Sequence, residues 1–376
     1  MKDIIYLDNS ATTKPCKTAC EYINKALCEN WGNPSSLHGL GIDAEISMNS
    51  AREEIAKSIN ANADEIIFTS GGTEANNTAI LSVLKSRKKK IITTKIEHPS
   101  VLETVKRLEL EGFEVIRIGC DSNGVIDMGE LKNSLDKNTA LVSIMLVNNE
   151  IGSIQPISEI SKLIKQLTDN AVFHCDAVQG FGKTPINVKT LGVDLMSCSA
   201  HKIHGPKGIG FLYVKKGLNL KPFLTGGGQE KGLRSGTEAI PLICGFHGAV
   251  KELKVKESLE KIAEINAFAR EIFGKCDFIK INSPDDALPY ILNISVLGYR
   301  SETLLHFLES KSIYVSSGSA CAKGEASYVL KALGLGKAQA DSALRLSFSK
   351  DNTREDISLV LEALAEATKK LRRSNI

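Results

Sequence analysis

The feature that most constrains this chain is a recurrence of short, continuous apolar runs, most of them followed by a polar loop and then by an apolar pattern of helical period. The runs are Ile66–Thr69, Ile91–Thr94, Glu114–Ile118, Ala140–Val147, Val172–Cys175, Leu195–Ser197 and Ile209–Val214. Helical patterns such as Thr73–Leu84, Val101–Glu109 and Ile157–Leu167 separate most of them. Strands that read as unbroken apolar runs are those covered on both faces. The alternation therefore predicts an α/β fold with a doubly wound, mainly parallel sheet. The last two runs are joined by a loop too short for a helical crossover, so one antiparallel edge strand is expected.

Beyond Pro241 a long helical stretch runs to about Phe273. It leads to strands near Phe278–Ile281, Ile291–Val296, Ile313–Val315 and Ala343–Phe348, and to helices at Ser301–Ser310 and Thr353–Leu371. The expected organisation is an N-terminal arm (1–14), a large domain (15–255) and a smaller α+β C-terminal domain (256–376). A helix follows Pro15 through Cys28, with Cys16 and Cys20 spaced for one face. Two small buried apolar side chains are favoured there over a metal pair. Trp31–His38 reads as a loop, with His38 expected to cap or pack.

Charge argues against two partner classes. The 376 residues carry 47 Lys+Arg and 44 Asp+Glu, a net charge of +3, too balanced to suggest nucleic acid or an anionic membrane. No stretch reaches transmembrane length. Met1–Tyr6 brings in an acid at once and does not read as a signal peptide. The odd count of 9 cysteines, with no framework spacing, fits a reducing cytoplasm.

The polar loops hold the chemistry. Ser197–Gly210 places Lys202 between two apolar strands, flanked by Ser199 and His201. A lysine on a defined loop can condense with an aldehyde, and pyridoxal 5'-phosphate (PLP) is the usual partner. A surface lysine in a glycine-rich turn fits the same residues equally well. Ser70–Asn77 follows a strand and opens a helix, which suits a phosphate, with Thr73 also readable as the N-cap. In His174-Cys175-Asp176, alternation sets Cys175 opposite the other two, against a shared metal site. Asp176 at a strand end suits a pyridinium nitrogen, or the capping of a turn. His98 in Glu97-His98-Pro99-Ser100 suits proton exchange near neutrality, or is incidental to a helix that Ser100 caps. These loops all lie at carboxyl ends of strands, where open α/β sheets bind ligands. Ser316–Gly324, rich in small residues, carries one cysteine, Cys321. That loop suits a thiol that visits a site, or a structural turn.

As an ordered set, these stretches resemble the PLP-dependent cysteine desulfurases. Tyr6–Thr13, Gly32–Ser36, Thr69–Glu74, Glu97-His98, Val147–Gly152, Asp176–Gln179, Ser199–Lys202, Arg234–Thr237 and Ser317–Cys321 carry the resemblance across nearly the whole chain. It implies the type I PLP fold of the class V aminotransferase group and a homodimer. Lys202 is implied as the Schiff-base lysine, Asp176 as the pyridinium partner and Gln179 as the partner of the ring hydroxyl. His98 is implied as the stacked acid/base residue, with Gly72, Thr73, Ser199 and His201 at the phosphate. Thr237 is implied as a phosphate ligand given by the neighbouring subunit. Asn149 and Arg345 are implied as binders of the substrate carboxylate, and Cys321 as the persulfide cysteine of a long-loop subgroup. Where the family has small hydroxyl residues after that cysteine, Ala322 and Lys323 stand here. Activation of the thiol falls to His98, Lys323 or the substrate.

The implied reaction converts L-cysteine to L-alanine and passes sulfur to an acceptor protein, an iron–sulfur scaffold or a tRNA-thiolation enzyme. A selenocysteine lyase or related class V lyase, and a PLP-bound partner protein without turnover, are the alternative readings.

Overall fold

The computed structural model describes residues 4–317 and 327–373. Its strands, in chain order, are β1 (Ile5–Tyr6), β2 (Ile66–Thr69), β3 (Lys90–Thr94), β4 (Glu114–Ile118), β5 (Thr139–Ser143), β6 (Val172–Asp176), β7 (Leu195–Ser199), β8 (Gly210–Val214), β9 (Ile279–Ile281), β10 (Ile291–Val296), β11 (Ile313–Tyr314), β12 (Ser316–Ser317) and β13 (Ala343–Ser347).

Seven strands form the main sheet in the order β2-β8-β7-β6-β5-β3-β4. From β7 to β4 every pairing is parallel. β5, β7 and β8 are buried along their whole length, and β6 at all but Val172, as strands covered on both faces must be. The antiparallel strand is β8, but it does not lie at the edge. It pairs antiparallel with both β7 and β2, and β2 takes the edge. A short loop fixes the direction of β8 and says nothing about what covers its other side. The run Ala140–Val147 is strand only to Ser143; Val147 instead forms an isolated bridge to Ile154.

The stretch after Pro241 is two helices, Ile240–Lys251 and Val255–Gly274, rather than one. They lead to an antiparallel sheet in the order β12-β13-β10-β9. The N-terminal arm crosses to this second sheet. β1 pairs in parallel with β11, Asp8 bridges Ser347, and Asn9 Nδ2 donates to Ser347 O at 2.8 Å. The arm also meets the turn after β7, where Thr13 N–H donates to His201 O at 2.9 Å.

One local expectation fails. At the start of the helix Lys17–Cys28, half-buried Cys16 packs against the core but Cys20 is exposed, so the two are not a buried pair. Among the described residues no group of three metal-ligating side chains forms a metal site. His38 does cap: it is the N-cap of the helix Gly39–Ser58, and its Nδ1 accepts from Gly41 N–H.

Candidate active site

Strand ends of the main sheet supply the site. β2 runs into Gly71, which takes φ +153° as the N-cap of the helix Gly72–Leu81. Thr73, read as a possible cap, is therefore the second helical residue. No side chain caps this helix. A Cβ on Gly72 would stand 2.7 Å from Val178 Cγ2, so only glycine lets the helix start sit this close to the wall beside it. Ser199, at the end of β7, lies beside Gly72, and His201 lines the same cavity. Burial and the neighbouring lysines Lys202, Lys207 and Lys183 pull the His201 pKa down to about 4, so the ring is neutral. An uncapped helix N-terminus with a hydroxyl and a neutral imidazole is an anion cradle.

β6 ends at Asp176. Its Oδ1 accepts from Val178 N–H at 3.0 Å, and its Oδ2 accepts from Asn76 Nδ2 at 2.7 Å. The same Asn76 amide donates to Ser100 Oγ at 2.8 Å. Ser100 Oγ lies 2.8 Å from His98 Nδ1, and Ser100 N–H donates to that nitrogen at 3.1 Å. With its oxygen taken by Asn76, the Ser100 hydroxyl donates to Nδ1. A neutral His98 then carries its proton on Nε2. His98 is thus the N-cap of the helix Pro99–Leu110, not a bystander to a Ser100 cap. Burial lowers its pKa against the opposing pull of Asp176, and the Lys202 charge adds to the lowering.

Beneath Asp176 on the same strand face, His174 sits between Ser143 Oγ at 2.8 Å and Ser197 Oγ at 2.9 Å. Burial pushes its pKa down to about 4, so a neutral ring supports the strand end.

Lys202 closes a 3-10 turn over Ala200–Lys202 after β7. Its Nζ donates to the carbonyl oxygens of Ser10 at 2.5 Å and Ala11 at 2.8 Å, both on the arm. Gln179 Nε2 donates to the same Ser10 carbonyl at 2.9 Å.

The second sheet contributes Arg345 from β13. Its Nη1 donates to Asn149 O at 2.9 Å, and its Nη2 pairs with Asp8 Oδ1 at 2.8 Å. Two buried carboxyls stand nearby, Glu150 close enough to feel Arg345 and Glu97 close enough to feel Asp176. Burial raises the Glu150 pKa to about 7, and its Oε2 accepts from the Ser327 hydroxyl at 2.5 Å. Burial raises Glu97 to about 8; its Oε1 accepts from Thr94 Oγ1 and Met145 N–H, each at 2.9 Å.

These residues surround one cavity of ≈ 490 Å³, lined by Gly72, Thr73, His98, Asn149, Asp176, Gln179, Ser199, His201, Lys202 and Arg345 together with Asp8, Ser10 and Asn76. The volume lies in the range of small-molecule sites. Thr237 is exposed and is not among the lining residues; its loop is tied to the cradle helix by Arg234 Nε donating to Glu74 Oε1 at 3.0 Å. Cys321 and Lys323 lie outside the described residues. Asp8 and Asn76 sit within stretches singled out in the sequence, yet no spacing rule brings Asp8 to Arg345 or Asn76 to Asp176.

The residues fit PLP on the structure's own terms. A lysine, a buried carboxylate, an imidazole and an anion cradle face one cavity. Ser10 Oγ, Asn76 Oδ1, Asn149 Oδ1 and Arg345 Nε, all of lining residues, are buried with no hydrogen-bond partner among the described residues. That is unmet polar capacity where a polar ligand would meet it.

A site of this kind at the carboxyl edge of a mainly parallel sheet defines the class of type I PLP enzymes. The chain matches the family Aminotransferase class-V over residues 5–360 and belongs to it. A protein of Dictyoglomus turgidum named cysteine desulfurase IscS is 42% identical, over 99% of this chain and 96% of its own length. A NifS/IcsS protein homolog of Lactobacillus delbrueckii subsp. bulgaricus is 45% identical, over 96% and 97% respectively. The solved structure of a NifS-like protein superimposes with a TM-score of 0.93 at 38% identity, covering 98% of this chain and 100% of its own. The chain is a PLP-dependent enzyme of this family.

Proposed function

We propose that this enzyme is a cysteine desulfurase: L-cysteine plus the Cys321 thiol give L-alanine plus a Cys321 persulfide, whose terminal sulfur passes to an acceptor protein. The single observation that carries the reading is that Lys202, Asp176, His98 and Arg345 line one cavity. The relatives named cysteine desulfurase support the choice of reaction.

PLP, when bound, supplies an electron sink to the carbon next to the substrate nitrogen. Lys202 would hold it, with Asp176 at the ring nitrogen, Gln179 at the ring hydroxyl, and Gly72, Thr73, Ser199 and His201 at the phosphate. Arg345 and Asn149 receive the substrate carboxylate, for which a planar guanidinium fork is suited. Lys202 Nζ would take the proton from Cα and return it there as alanine forms. His98 would serve as the acid/base residue beside the ring, its exchangeable proton on Nε2 because Ser100 occupies Nδ1. The Cys321 thiolate attacks the substrate sulfur: an S–S bond forms, the C–S bond breaks, and its electron pair stays with the carbon, which takes up a proton to become alanine.

The active unit is read as a homodimer in the cytoplasm. Trp31, Leu37, Ile42 and Ile46 are exposed large apolar side chains close together in the chain, which suits a covered face. Thr237, exposed and away from its own cavity, suits donation to a neighbour. The acceptor is read as an iron–sulfur scaffold or a tRNA-thiolation enzyme. The test is alanine release: holoenzyme given L-cysteine and a reductant should release L-alanine, and Lys202→Ala should not. Release from L-selenocysteine alone would favour the lyase reading instead.

A further inference from the structure

Behind Gln179 stands a lysine that the proposed reaction does not use. Lys183 is 4% exposed and lies four residues further along the chain, in the run of turns that follows β6. Its Nζ donates to Gln179 Oε1 at 2.9 Å. No carboxylate pairs with it among the described residues; the Tyr290 ring centroid is 5.7 Å away, and the charges of Lys202 and Arg345 are close enough to act on it. A buried ammonium without an anion is costly, so such a group is expected to have a use where it stands.

The use is visible in Gln179. Its amide has two ends, and each is already spoken for. Oε1 accepts from Lys183, and one Nε2–H goes to the Ser10 carbonyl at 2.9 Å. Turning the amide over would set its NH₂ against the lysine and its oxygen against a carbonyl oxygen, two repulsive contacts in place of two hydrogen bonds. The remaining Nε2–H belongs to a side chain lining the cavity.

We propose that Lys183 is a positioning residue that fixes the Gln179 amide with nitrogen toward the cofactor, so that its second N–H donates to the ring hydroxyl oxygen. This rests on the reading of Gln179 as the partner of that oxygen. Burial, with the charges of Lys202 and Arg345, lowers the Lys183 pKa to about 7. Ammonium and amine both keep an N–H for Oε1, so the amide stays fixed on either side of neutrality.

The test reads the bound cofactor's visible absorbance against pH in holoenzyme. A donor to the ring oxygen stabilises its ionised form and holds the midpoint of that titration low. Lys183→Met keeps the volume and removes the donor, so the midpoint should rise by about one pH unit, a tenfold change in the protonation equilibrium. Gln179→Leu should raise it as much, and the double variant no further, because both changes remove one interaction. Lys183→Gln, which retains a donor, should stay near the wild-type value. Lys183→Leu serves should the Met variant not fold. A shift in Gln179→Leu with none in Lys183→Met or Lys183→Leu overturns the role of Lys183 and leaves the reading of Gln179 intact. No shift in Gln179→Leu removes that reading, and the inference with it.

Discussion

Arg345 and Asp8 are 337 positions apart in the chain and form an ion pair of 2.8 Å at the mouth of the cavity. Asp8 takes Nη2 and the Asn149 carbonyl takes Nη1, while Nε stays buried and unpartnered. The arm therefore sets the pose of a guanidinium carried by the second sheet.

Removing that guanidinium should remove the proposed clamp on the substrate carboxylate. Hydrogen bonds to charged groups contribute about 1.5–3 kcal/mol. Arg345→Ala should raise the apparent KM for L-cysteine on the order of tenfold to a hundredfold while the cofactor stays bound. Steady-state kinetics beside an absorbance spectrum check this, and an unchanged KM takes Arg345 out of the site.

Asn76 joins Asp176 to Ser100, and through Ser100 to His98. Asn76→Ala leaves a buried carboxylate oxygen without its donor and frees the Ser100 hydroxyl. A stability loss of about 1–3 kcal/mol is expected, along with weaker cofactor binding. Denaturant unfolding and a fluorescence titration with PLP measure the two effects.

Glu97 gives a pH signature in the protein without cofactor. Its folded pKa, about 8, exceeds its ordinary value of 4.5 because it is buried. The native state then holds a proton that the unfolded chain has lost, so this group's contribution falls as pH rises from about 4.5 to about 8. Glu97→Gln cannot ionise. Its stability relative to wild type should climb across that window, on the order of 3–5 kcal/mol in all, and level off above it. Urea unfolding of both proteins at stepped pH tests the slope. A constant difference contradicts the assigned shift.

Thr237→Ala should lower cofactor retention, since the residue is read as serving a neighbour's site. Sedimentation should give a mass near twice the 40.7 kDa of one chain. Replacing the exposed Trp31 and Leu37 by Asp should yield monomers that lose PLP on gel filtration. A fully active monomer would end the dimer reading.

Much of this was legible in the chain because both-face burial leaves unbroken apolar runs, and strand ends are where ligands sit. β2 and β4 have the bounds the sequence predicts, and β3, β6, β7 and β8 differ only by a residue or two at their ends. What escaped has physical reasons. The helix Gly39–Ser58 buries small residues, Gly41, Ala44 and Ala51, and exposes Ile42 and Ile46, so no apolar stripe marks it. The place of β8 between β2 and β7 depends on sheet order, which chain order does not carry. Asp8, Asn76 and Lys183 act through partners that only the folded chain brings near.

The most direct test of the central claim locates the transferred sulfur. The described cysteines Cys175 and Cys198 are buried in strands, and burial pushes both thiols well above their ordinary pKa, which makes them poor nucleophiles. Holoenzyme incubated with L-cysteine, alkylated with a thiol-reactive probe and mapped by peptide mass should carry one extra sulfur on Cys321. Cys321→Ser should keep the cofactor spectrum, carry no persulfide and release almost no alanine. Extra sulfur found mainly on another cysteine, or full alanine release by the Ser variant, would contradict the account.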